Sequence, residues 1–529
     1  MALVVLIPPS YPPTLRYMML TYSQIGLTFT ALGSSLYLFY REKSSKRLPL
    51  PPSPGGSYPI LGHALVLPTE NEHIAYDKWC KQLDSNIISL TVLGKTIIVI
   101  NSVEVAEELM DKRSETYSGR PYLRVVVDPE LLDWEGGIIM LPYGPRWKKQ
   151  RRIMHELLKP SANTNNFALF ERERHGLLKR LLVNTENFEK EFRRTVAAEI
   201  LSSVYGYTVK DSNDALVRDS VTLVEKFTIT AIPTNFLVNF IPWLKYVPEW
   251  FPGAQWKRNI IQWRQLKERV INNPYEWAKA QIASGFAAPS IVQTHLASVE
   301  GNSKANIPEE EENLKMVGVA LFGAAADTSH ASLMSFVLAM VQHPDVQARA
   351  QKEIDDVTKS ERLPTMSDRD SMPYIRSIVQ EVLRWQPPLP LGVPRATSED
   401  DEYRGYLIPK GSVVIANSWA MSRDESVYKS PDQFIPDRFI GPDVPTSTAF
   451  GFGRRSCPGN HYAEASLFIL FASVLAVFDL GPKVNPATGQ EEMPEGKVVV
   501  HALLSRILPF ECTIKPRSSI HKELIEALQ

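Results

Sequence analysis

The sequence predicts a mostly α-helical protein with small β-sheets, an α+β fold that follows one transmembrane helix. Long apolar stretches at 312–343 and 463–480 have the length and composition of buried helices. Short runs rich in β-branched residues lie within 87–100 and 403–416, where we expect strands. The second run is expected to form a strand pair with Pro409-Lys410-Gly411 as its turn. Between these two runs the pattern is mainly helical, so helix is the dominant predicted element.

The segment from Tyr17 to Tyr40 contains no charged residue and is long enough to cross a membrane. Its 24 residues would form a helix of about 36 Å, and a bilayer core is about 30 Å thick. The basic run 41–47 follows it, which places the C-terminal body in the cytoplasm. A cleaved signal peptide is the alternative, but no small-residue cleavage site follows the apolar stretch.

The chain is therefore divided into four predicted regions. A short lumenal segment covers 1–16, the transmembrane anchor 17–40, a basic and proline-rich hinge 41–58, and one catalytic domain 59–529. The hinge contains Leu48-Pro49-Leu50-Pro51-Pro52, which reads as a stiff polyproline spacer.

Composition excludes several classes of protein. The net charge of −1 argues against bulk electrostatic affinity for nucleic acid. The three cysteines, Cys80, Cys457 and Cys512, are too few for a disulfide framework that spares Cys457, and they suit a reducing compartment. No feature predicts an obligate oligomer.

Cys457 lies in a glycine-rich, arginine-flanked loop, Phe450 to Gly459, just before the apolar run at 463. A thiolate at a helix N-terminus beside Arg454 and Arg455 is expected to be stabilised in its ionised form. Such a loop suits a thiolate ligand of haem iron. A buried inert cysteine is the alternative, and zinc is disfavoured because His461 is the only other ligand type nearby.

The pattern Phe-x-x-Gly-x-Arg-x-Cys-x-Gly resembles the haem-binding signature of the cytochrome P-450 monooxygenases. The resemblance implies a single haem-centred domain with haem b, and Cys457 as the axial ligand of its iron. It also implies that Phe450 and Arg455 contact the haem.

A second motif supports the same resemblance. Glu381 and Arg384 are three residues apart on a predicted helix, and Arg438 follows in Pro436-Asp437-Arg438-Phe439. The family joins these three side chains in a buried structural cluster behind the haem. Asp437 replaces the usual glutamate at a position expected to face outward.

The apolar stretch 312–343 contains Ala325-Ala326-Asp327-Thr328 in its middle. An acid and a hydroxyl inside an apolar helix are costly unless they are paired or used. One alternative is that Thr328 only makes a local hydrogen bond to the carbonyl of Ala324. The resemblance instead implies that Thr328 steadies bound dioxygen and that Asp327 belongs to the proton path. Ala325 stands where the family usually has glycine, which predicts a shallower kink.

Haem propionates require cations. Trp147 and Arg151 are four residues apart in a helical stretch and match the family's Trp-x-x-x-Arg pair. The resemblance makes Trp147, Arg151, Arg395 and Arg455 the propionate partners. Lys148, Arg152 and Arg454 are expected to form a positive patch that steers an acidic electron donor, and Lys149 to lie on a solvated face.

The resemblance also indicates where the substrate binds. The expected positions are mostly apolar, which fits a lipophilic small molecule, although half of them are equally compatible with a core role. They lie within 121–132, 228–240, Phe322 and Ala326, 389–393, and Leu503-Leu504.

The sequence thus predicts a monooxygenase of the endoplasmic reticulum membrane that resembles fungal microsomal members. It would oxidise a lipophilic terpenoid, polyketide or aromatic of secondary metabolism, with O2 and NADPH electrons from a P-450 reductase; cytochrome b5 is an additional candidate donor. The alternatives are broad oxidation of xenobiotics, a haem-thiolate isomerase or dehydratase, and a non-catalytic haem- or sterol-binding membrane protein.

Overall fold

The computed structural model describes residues 48–528, except 69, 212, 302, 304, 305 and 502. The predicted lumenal segment 1–16, the anchor 17–40 and the hinge up to 47 lie outside these residues. Within the described part the fold is mostly helical with small sheets, as the sequence predicts.

Twelve helices of eight or more residues lie in the described part of the chain. They are α1 Glu72–Gln82, α2 Pro145–Leu158, α3 Phe167–Val183, α4 Phe188–Tyr205, α5 Ala215–Thr230, α6 Gln255–Ala283, α7 Ile291–Glu300, α8 Ile307–Gln342, α9 Pro344–Thr358, α10 Pro373–Trp385, α11 Asn460–Val477 and α12 Ser519–Glu526. Shorter helical turns include Val103–Ala106, Glu107–Lys112, Arg124–Val127, Pro160–Asn163, Pro233–Asn235, Leu237–Asn239, Pro242–Tyr246, Ser418–Met421, Pro436–Phe439 and Gly453–Arg455.

The strands form four small sheets. They are β1 Ile87–Val92, β2 Lys95–Ile100, β3 Arg395–Ala396, β4 Asp401–Tyr403, β5 Tyr406–Ile408, β6 Val413–Ala416, β7 Phe478–Val484, β8 Glu491–Glu492, β9 Val498–His501, β10 Leu504–Ile507 and β11 Cys512–Pro516. The largest sheet has the order β1-β2-β6-β3, in which β2 and β6 run parallel and the other pairs antiparallel. The other three are β11-β7-β8, β9-β10 and β4-β5.

The described chain separates into two compact units. The small unit contains residues 48–51 and 400–408, with the β4-β5 hairpin, and the N–H of Leu407 donates to the carbonyl of Pro49 at 2.8 Å. The large unit contains the other elements and every candidate site residue.

Helix α8 is the central element of the large unit. It has 36 residues, which corresponds to about 54 Å of helix. It begins with Pro308 in its first turn and with Glu309 and Glu310 close behind, where acids complement the helix dipole. It ends before Pro344, which opens α9. The core around it includes Phe336, whose ring stacks on Phe471 of α11 at 3.9 Å.

Several boundaries differ from the sequence predictions. Helix α8 starts five residues before the predicted position 312, because the acidic first turn belongs to the helix. Helix α11 stops at Val477, and the rest of the predicted apolar helix, Phe478 onward, is strand β7. A continuous apolar run does not distinguish a buried helix from a buried strand.

The pairing predicted for the two strands within 403–416 is also wrong. Residues 406–408 and 413–416 are strands, but β5 pairs with β4, whereas β6 pairs with β2 and β3. Gly411 has a φ of +76°, so a turn does separate the two strands as the sequence indicates.

Two helices of the described chain are long and apolar enough to cross a membrane, α8 and α11. Both are 78% buried inside the protein over their most apolar window. They are core helices of the large unit, and this finding does not test the predicted anchor.

Glu199 of α4 is an unusual member of the core, because it is 1% exposed and has one hydrogen-bond partner among the described residues. Ser466 of α11 donates to its Oε2 at 2.6 Å, and its Oε1 has no partner among the described residues. Burial, with a smaller contribution from Glu173, raises the pKa of Glu199 from 4.5 to about 8.

This pKa predicts how stability depends on pH. Between pH 4.5 and about 8 the folded protein keeps the Glu199 proton and the unfolded chain does not, so stability decreases as pH rises through this window. Glu199→Gln removes this dependence. As pH rises from 6 to 8, we expect the free energy of unfolding of the parent to fall by about 2 kcal/mol relative to that of the variant. Urea unfolding of both proteins at pH 6 and at pH 8 measures this difference. Parallel pH profiles would contradict the prediction.

Candidate active site

One cavity of about 420 Å³ lies in the large unit, between the cysteine loop, α2, α5 and α8. The structure brings all eight predicted site residues to its lining. These are Cys457, Phe450, Trp147, Arg151, Asp327, Thr328, Arg395 and Arg455.

The loop that presents Cys457 is fixed by backbone contacts. The N–H of Cys457 donates to the carbonyl of Phe450 at 2.8 Å, which closes the loop. Gly453 has a φ of +52°, and a Cβ atom there would lie 2.2 Å from the carbonyl oxygen of Met110. Only glycine fits this position, and α11 begins three residues after the cysteine, at Asn460.

The thiol of Cys457 is exposed to the cavity but enclosed by protein. Burial raises its pKa, and this effect outweighs the N–H of Gly459 and the charge of Arg151, which both lower it. The N–H group and the cation therefore act on the thiol in the direction that the sequence indicates, and burial opposes them. A metal ion bound at the sulfur would favour its ionised form further.

Asp327 and Thr328 face the cavity from the middle of α8. The hydroxyl of Thr328 donates to the carbonyl of Ala324 at 2.8 Å, which is the local bond that the sequence offers as an alternative to a catalytic role. Helix α8 is unbroken through Ala325, in agreement with alanine in place of glycine.

Asp327 is 5% exposed and is held by two arginines that the sequence did not point to. Arg193 of α4 donates to its Oδ1 at 3.0 Å, and Arg506 of β10 donates to its Oδ2 at 2.7 Å. Arg193 also lies 3.3 Å from His330, whose pKa is lowered to about 3 by burial and by the positive charge of both arginines. The carboxylate therefore lies between the cavity and two arginines whose side chains are partly exposed to solvent.

Arg395 and Arg455 are anchored by carbonyl oxygens. Arg395 donates to Met110 at 3.1 Å and to Phe452 at 2.5 Å. Arg455 donates to Ser118, Ile138 and Leu141, and its guanidinium lies 4.7 Å from the centre of the Trp147 ring.

Arg120 is a further member of this cluster that sequence reasoning missed. It donates to the carbonyls of Val393 and Pro394, and its Nε has no partner among the described residues. Burial and the charges of Arg455 and Arg395 lower its pKa well below the ordinary value. Burial likewise lowers the pKa of Arg455 to about 9 and that of Arg395 to about 10.

These arginines indicate an anionic ligand. In the described chain, none of Arg120, Arg151, Arg395 and Arg455 has an ion pair with a carboxylate, although Asp111 attracts Arg395 from a greater distance. Burying like charges together is costly unless an anion compensates them. The two carboxylates of a haem b fit this cluster, and the sulfur of Cys457 on the same cavity fits its iron.

The predicted Glu381–Arg384–Arg438 cluster is present beneath the site. Glu381 and Arg384 are fully buried and form a two-pronged ion pair at 2.7 and 2.8 Å. Arg438 donates to Glu381 at 3.2 Å. Asp437 faces outward as expected and pairs with Arg349 at 2.6 Å.

Two of the predicted basic residues lie together outside the cavity. Lys148 and Arg454 both sit 4.9 Å from the centre of the Tyr143 ring. Lys149, expected on a solvated face, is 29% exposed and pairs with Glu309 at 2.8 Å and Glu310 at 3.0 Å, because the first turn of α8 lies beside α2.

Only some of the positions expected to face substrate line the cavity, and Ala326 is not among them. Phe322, 389–393 and Leu503-Leu504 contribute to the cavity lining, whereas 123–132, Phe236 and Val238 pack in a separate core with α6. The cavity wall also includes part of α5, of which the expected range beginning at Thr228 left out all but Thr228. These lining residues of α5 are Ser220, Leu223, Val224, Phe227 and Thr228.

Comparison with known proteins agrees with this architecture. The family model for cytochrome P450 matches residues 51–509. Cytochrome P450 monooxygenase 98 of Postia placenta is 39% identical over 501 residues, 92% of this chain and 94% of the relative. Cytochrome P450 monooxygenase 208 of the same fungus is 38% identical, covering 94% and 96%. A cytochrome P450 monooxygenase of Armillaria gallica is 38% identical, covering 92% and 95%.

The chain belongs to the cytochrome P450 family. It is an oxidoreductase, a monooxygenase that uses haem b with cysteine thiolate ligation, O2 and electrons from a reductase.

Proposed function

We propose that the protein is a membrane-anchored monooxygenase that oxidises a lipophilic small molecule, with Cys457 as the iron ligand. The single observation that carries the proposal is the meeting of Cys457, the Asp327–Thr328 pair and the buried arginines on one apolar cavity. When bound, the haem supplies the chemistry of oxygen activation. The apolar wall excludes water and fits a terpenoid, polyketide or aromatic.

The arginines orient the haem through its propionates. The propionates would compensate the buried positive charges of the cluster and accept charge-assisted hydrogen bonds from it. Its members are Arg120, Arg151, Arg395 and Arg455. Trp147 supports this arrangement because its ring lies against Arg455. Phe450 lines the same cavity beside the cysteine loop.

Thr328 and Asp327, on the α8 wall of the cavity, are the residues that we assign to proton transfer. The Thr328 hydroxyl can keep its donor bond to Ala324 or turn toward the cavity. Asp327 joins the cavity to Arg193 and Arg506, whose side chains are 26% and 34% exposed. The guanidinium groups stay protonated and hold the carboxylate in place. We therefore place the Asp327 carboxylate itself on the route by which solvent protons reach the hydroxyl.

Thr328→Ala tests this role. We expect the share of NADPH electrons recovered in product to fall by at least about tenfold, because positioned proton transfer is worth roughly 10²–10⁴-fold. The remaining electrons should appear as hydrogen peroxide. Ser335→Ala is the matched control, since its hydroxyl makes the same bond one turn back, to Ala331, and lies outside the cavity. Unchanged coupling in T328A would refute the assignment.

The electron donor is proposed to be a P-450 reductase, with cytochrome b5 as an additional candidate. The pair Lys148 and Arg454, with the exposed Arg152, supports a docking patch for an acidic protein. Assignment to the endoplasmic reticulum and to secondary metabolism follows from the resemblance to fungal microsomal members.

Membrane contact has support beyond the anchor sequence. Residues 237–251 expose several large apolar side chains, and amphipathic aromatic rings favour the membrane interface. The exposed fractions are Leu237 63%, Trp243 65%, Tyr246 71%, Trp250 79% and Phe251 48%.

Tryptophan fluorescence tests this contact in the full-length protein. In vesicles with brominated acyl chains, quenching of the parent should exceed that of the Trp243→Phe/Trp250→Phe variant severalfold. Trp277→Phe serves as control, because Trp277 packs on Tyr207 in the core. Equal quenching of the double variant and the parent would place the segment in water.

Product analysis tests the function as a whole. The protein, its reductase and NADPH are incubated with a panel of lipophiles under ¹⁸O2, and we expect one labelled oxygen in a product. If no compound is oxidised while thiolate-ligated haem is intact, the proposed function fails. Oxidation of many unrelated compounds at similar rates would favour the alternative, a xenobiotic-oxidising role.

A further inference from the structure

The apolar wall of the cavity contains one hydroxyl that the fold does not use. Ser220 lies on α5, lines the cavity and is 4% exposed. No hydrogen bond joins its hydroxyl to another of the described residues.

The other hydroxyls of the cavity are either engaged or belong to other walls. Thr228 donates to the backbone carbonyl of Glu225 at 2.9 Å, and Ser332 donates to the backbone carbonyl of Thr328 at 3.0 Å. The hydroxyls of Ser203 and Tyr462 are hydrogen-bonded to each other at 2.9 Å. Ser329 is adjacent to Thr328 on α8, and Ser418 follows the sheet that holds Arg395.

The surroundings of Ser220 are apolar. Leu223, Val224 and Phe227 follow it on the same face of α5, since they are three, four and seven positions further along the helix. Val224 lies close to α8, because a Cβ atom on Gly323 would be 3.5 Å from its Cγ2. The cations of the cavity lining are Arg120, Arg151, Arg395 and Arg455, none of them on α5, so this wall does not suit a carboxylate.

We propose that the Ser220 hydroxyl binds an alcohol or carbonyl oxygen of the substrate. This inference rests on the proposed function and narrows its substrate class to a lipophile that already carries oxygen. An enzyme acting on the bare hydrocarbon, or a cyclase that leaves an alcohol or ketone, would then have to act earlier in the reaction sequence.

The physical reason is the cost of an unused donor. In the empty cavity water can satisfy the hydroxyl, but a bound hydrocarbon displaces that water and leaves the buried group unpaired. An oxygenated analogue replaces the lost bond. The difference corresponds to a preference of about fivefold to hundredfold in Kd.

The test uses haem-loaded full-length protein and matched pairs of cyclic sesquiterpenes, each a hydrocarbon and its mono-alcohol or ketone. The spectral shift on binding gives the Kd of each compound. The measured quantity is the ratio of hydrocarbon Kd to oxygenated Kd, compared between proteins so that solvation of the ligands cancels.

We expect Ser220→Ala to lower this ratio by about fivefold or more. Ser220→Thr keeps the hydroxyl and should keep the ratio. Thr222→Ala is the matched control, since the Thr222 hydroxyl is on the exposed side of the same helix and donates to the backbone carbonyl of Arg218 at 2.8 Å. The ratio in T222A should equal that of the parent.

The outcomes separate this inference from the proposed function. If hydrocarbons and oxygenated analogues bind and are oxidised, but S220A leaves the ratio within twofold of the parent, the role of Ser220 is refuted and the monooxygenase proposal stands. If no lipophile of the panel binds or is oxidised by parent and T222A, both proposals fail together.

Discussion

Cys457→Ser should yield a folded protein that has lost its oxidation activity, by more than roughly 100-fold. Removal of groups that only support a metal ligand already costs about 10–100-fold, so loss of the ligand itself must cost more. The serine hydroxyl is a poor substitute for a thiolate because it does not ionise at neutral pH. Turnover of the best substrate and the visible spectrum of the variant measure the effect.

Cys512→Ser is the matched control for this replacement. Cys512 lies in β11, outside the cavity lining, and burial raises the pKa of its thiol to about 12, so it stays protonated. C512S should oxidise substrate at the parental rate. Equal activity of C457S and C512S would remove the basis for Cys457 as ligand.

Glu381→Ala should give the largest loss of stability among single replacements in the site's support. It leaves Arg384 charged, 0% exposed and without its carboxylate partner, and Arg438 loses the same partner. Breaking a buried ion pair costs about 3–5 kcal/mol, against a total stability of about 5–15 kcal/mol for a typical domain. Urea unfolding and the yield of haem-containing protein measure the effect.

The control for Glu381 is an ion pair of similar length at the surface. Asp437 and Arg349 lie 2.6 Å apart, but their side chains are 48% and 51% exposed. Asp437→Ala should therefore cost less than about 1 kcal/mol. If E381A does not fold, Glu381→Gln replaces it in the test, because glutamine keeps the volume and one carbonyl oxygen. E381Q should be less stable than the parent, by less than the loss expected for E381A. A cost for E381Q no larger than that of D437A would contradict the role of the cluster.

The local motifs were predictable because each occupies one short segment. The cysteine loop, the Asp327–Thr328 pair and Glu381–Arg384 carry their spacing within ten residues or fewer. The structure places the first two on one cavity and buries the third outside its lining. The class of fold was predictable for the same reason, since long apolar helices and few β-prone runs dominate the sequence.

The partners of these motifs were not predictable. Arg193 and Arg506 reach Asp327 across 134 and 179 positions of sequence, and no local pattern marks either of them. Arg120 carries no local signal of this kind, and its contact with the carbonyls of Val393 and Pro394 brings it to the other arginines. Long-range contacts of this kind are set by packing of whole elements.

The same limit applies to the cysteine loop. The sequence shows Arg454 and Arg455 beside Cys457, but in the structure Arg455 donates to backbone carbonyls and Arg454 lies over Tyr143. Burial then dominates the pKa of the thiol. Desolvation depends on the surrounding fold, which neighbouring residue types do not reveal.

The most direct measurement is the absorption spectrum of the purified protein, reduced and exposed to carbon monoxide. Ligation by the Cys457 sulfur predicts a Soret band at the long-wavelength position diagnostic of thiolate, present in the parent and in C512S and absent from C457S. A band at the histidine-ligated position in the correctly folded parent would contradict the account.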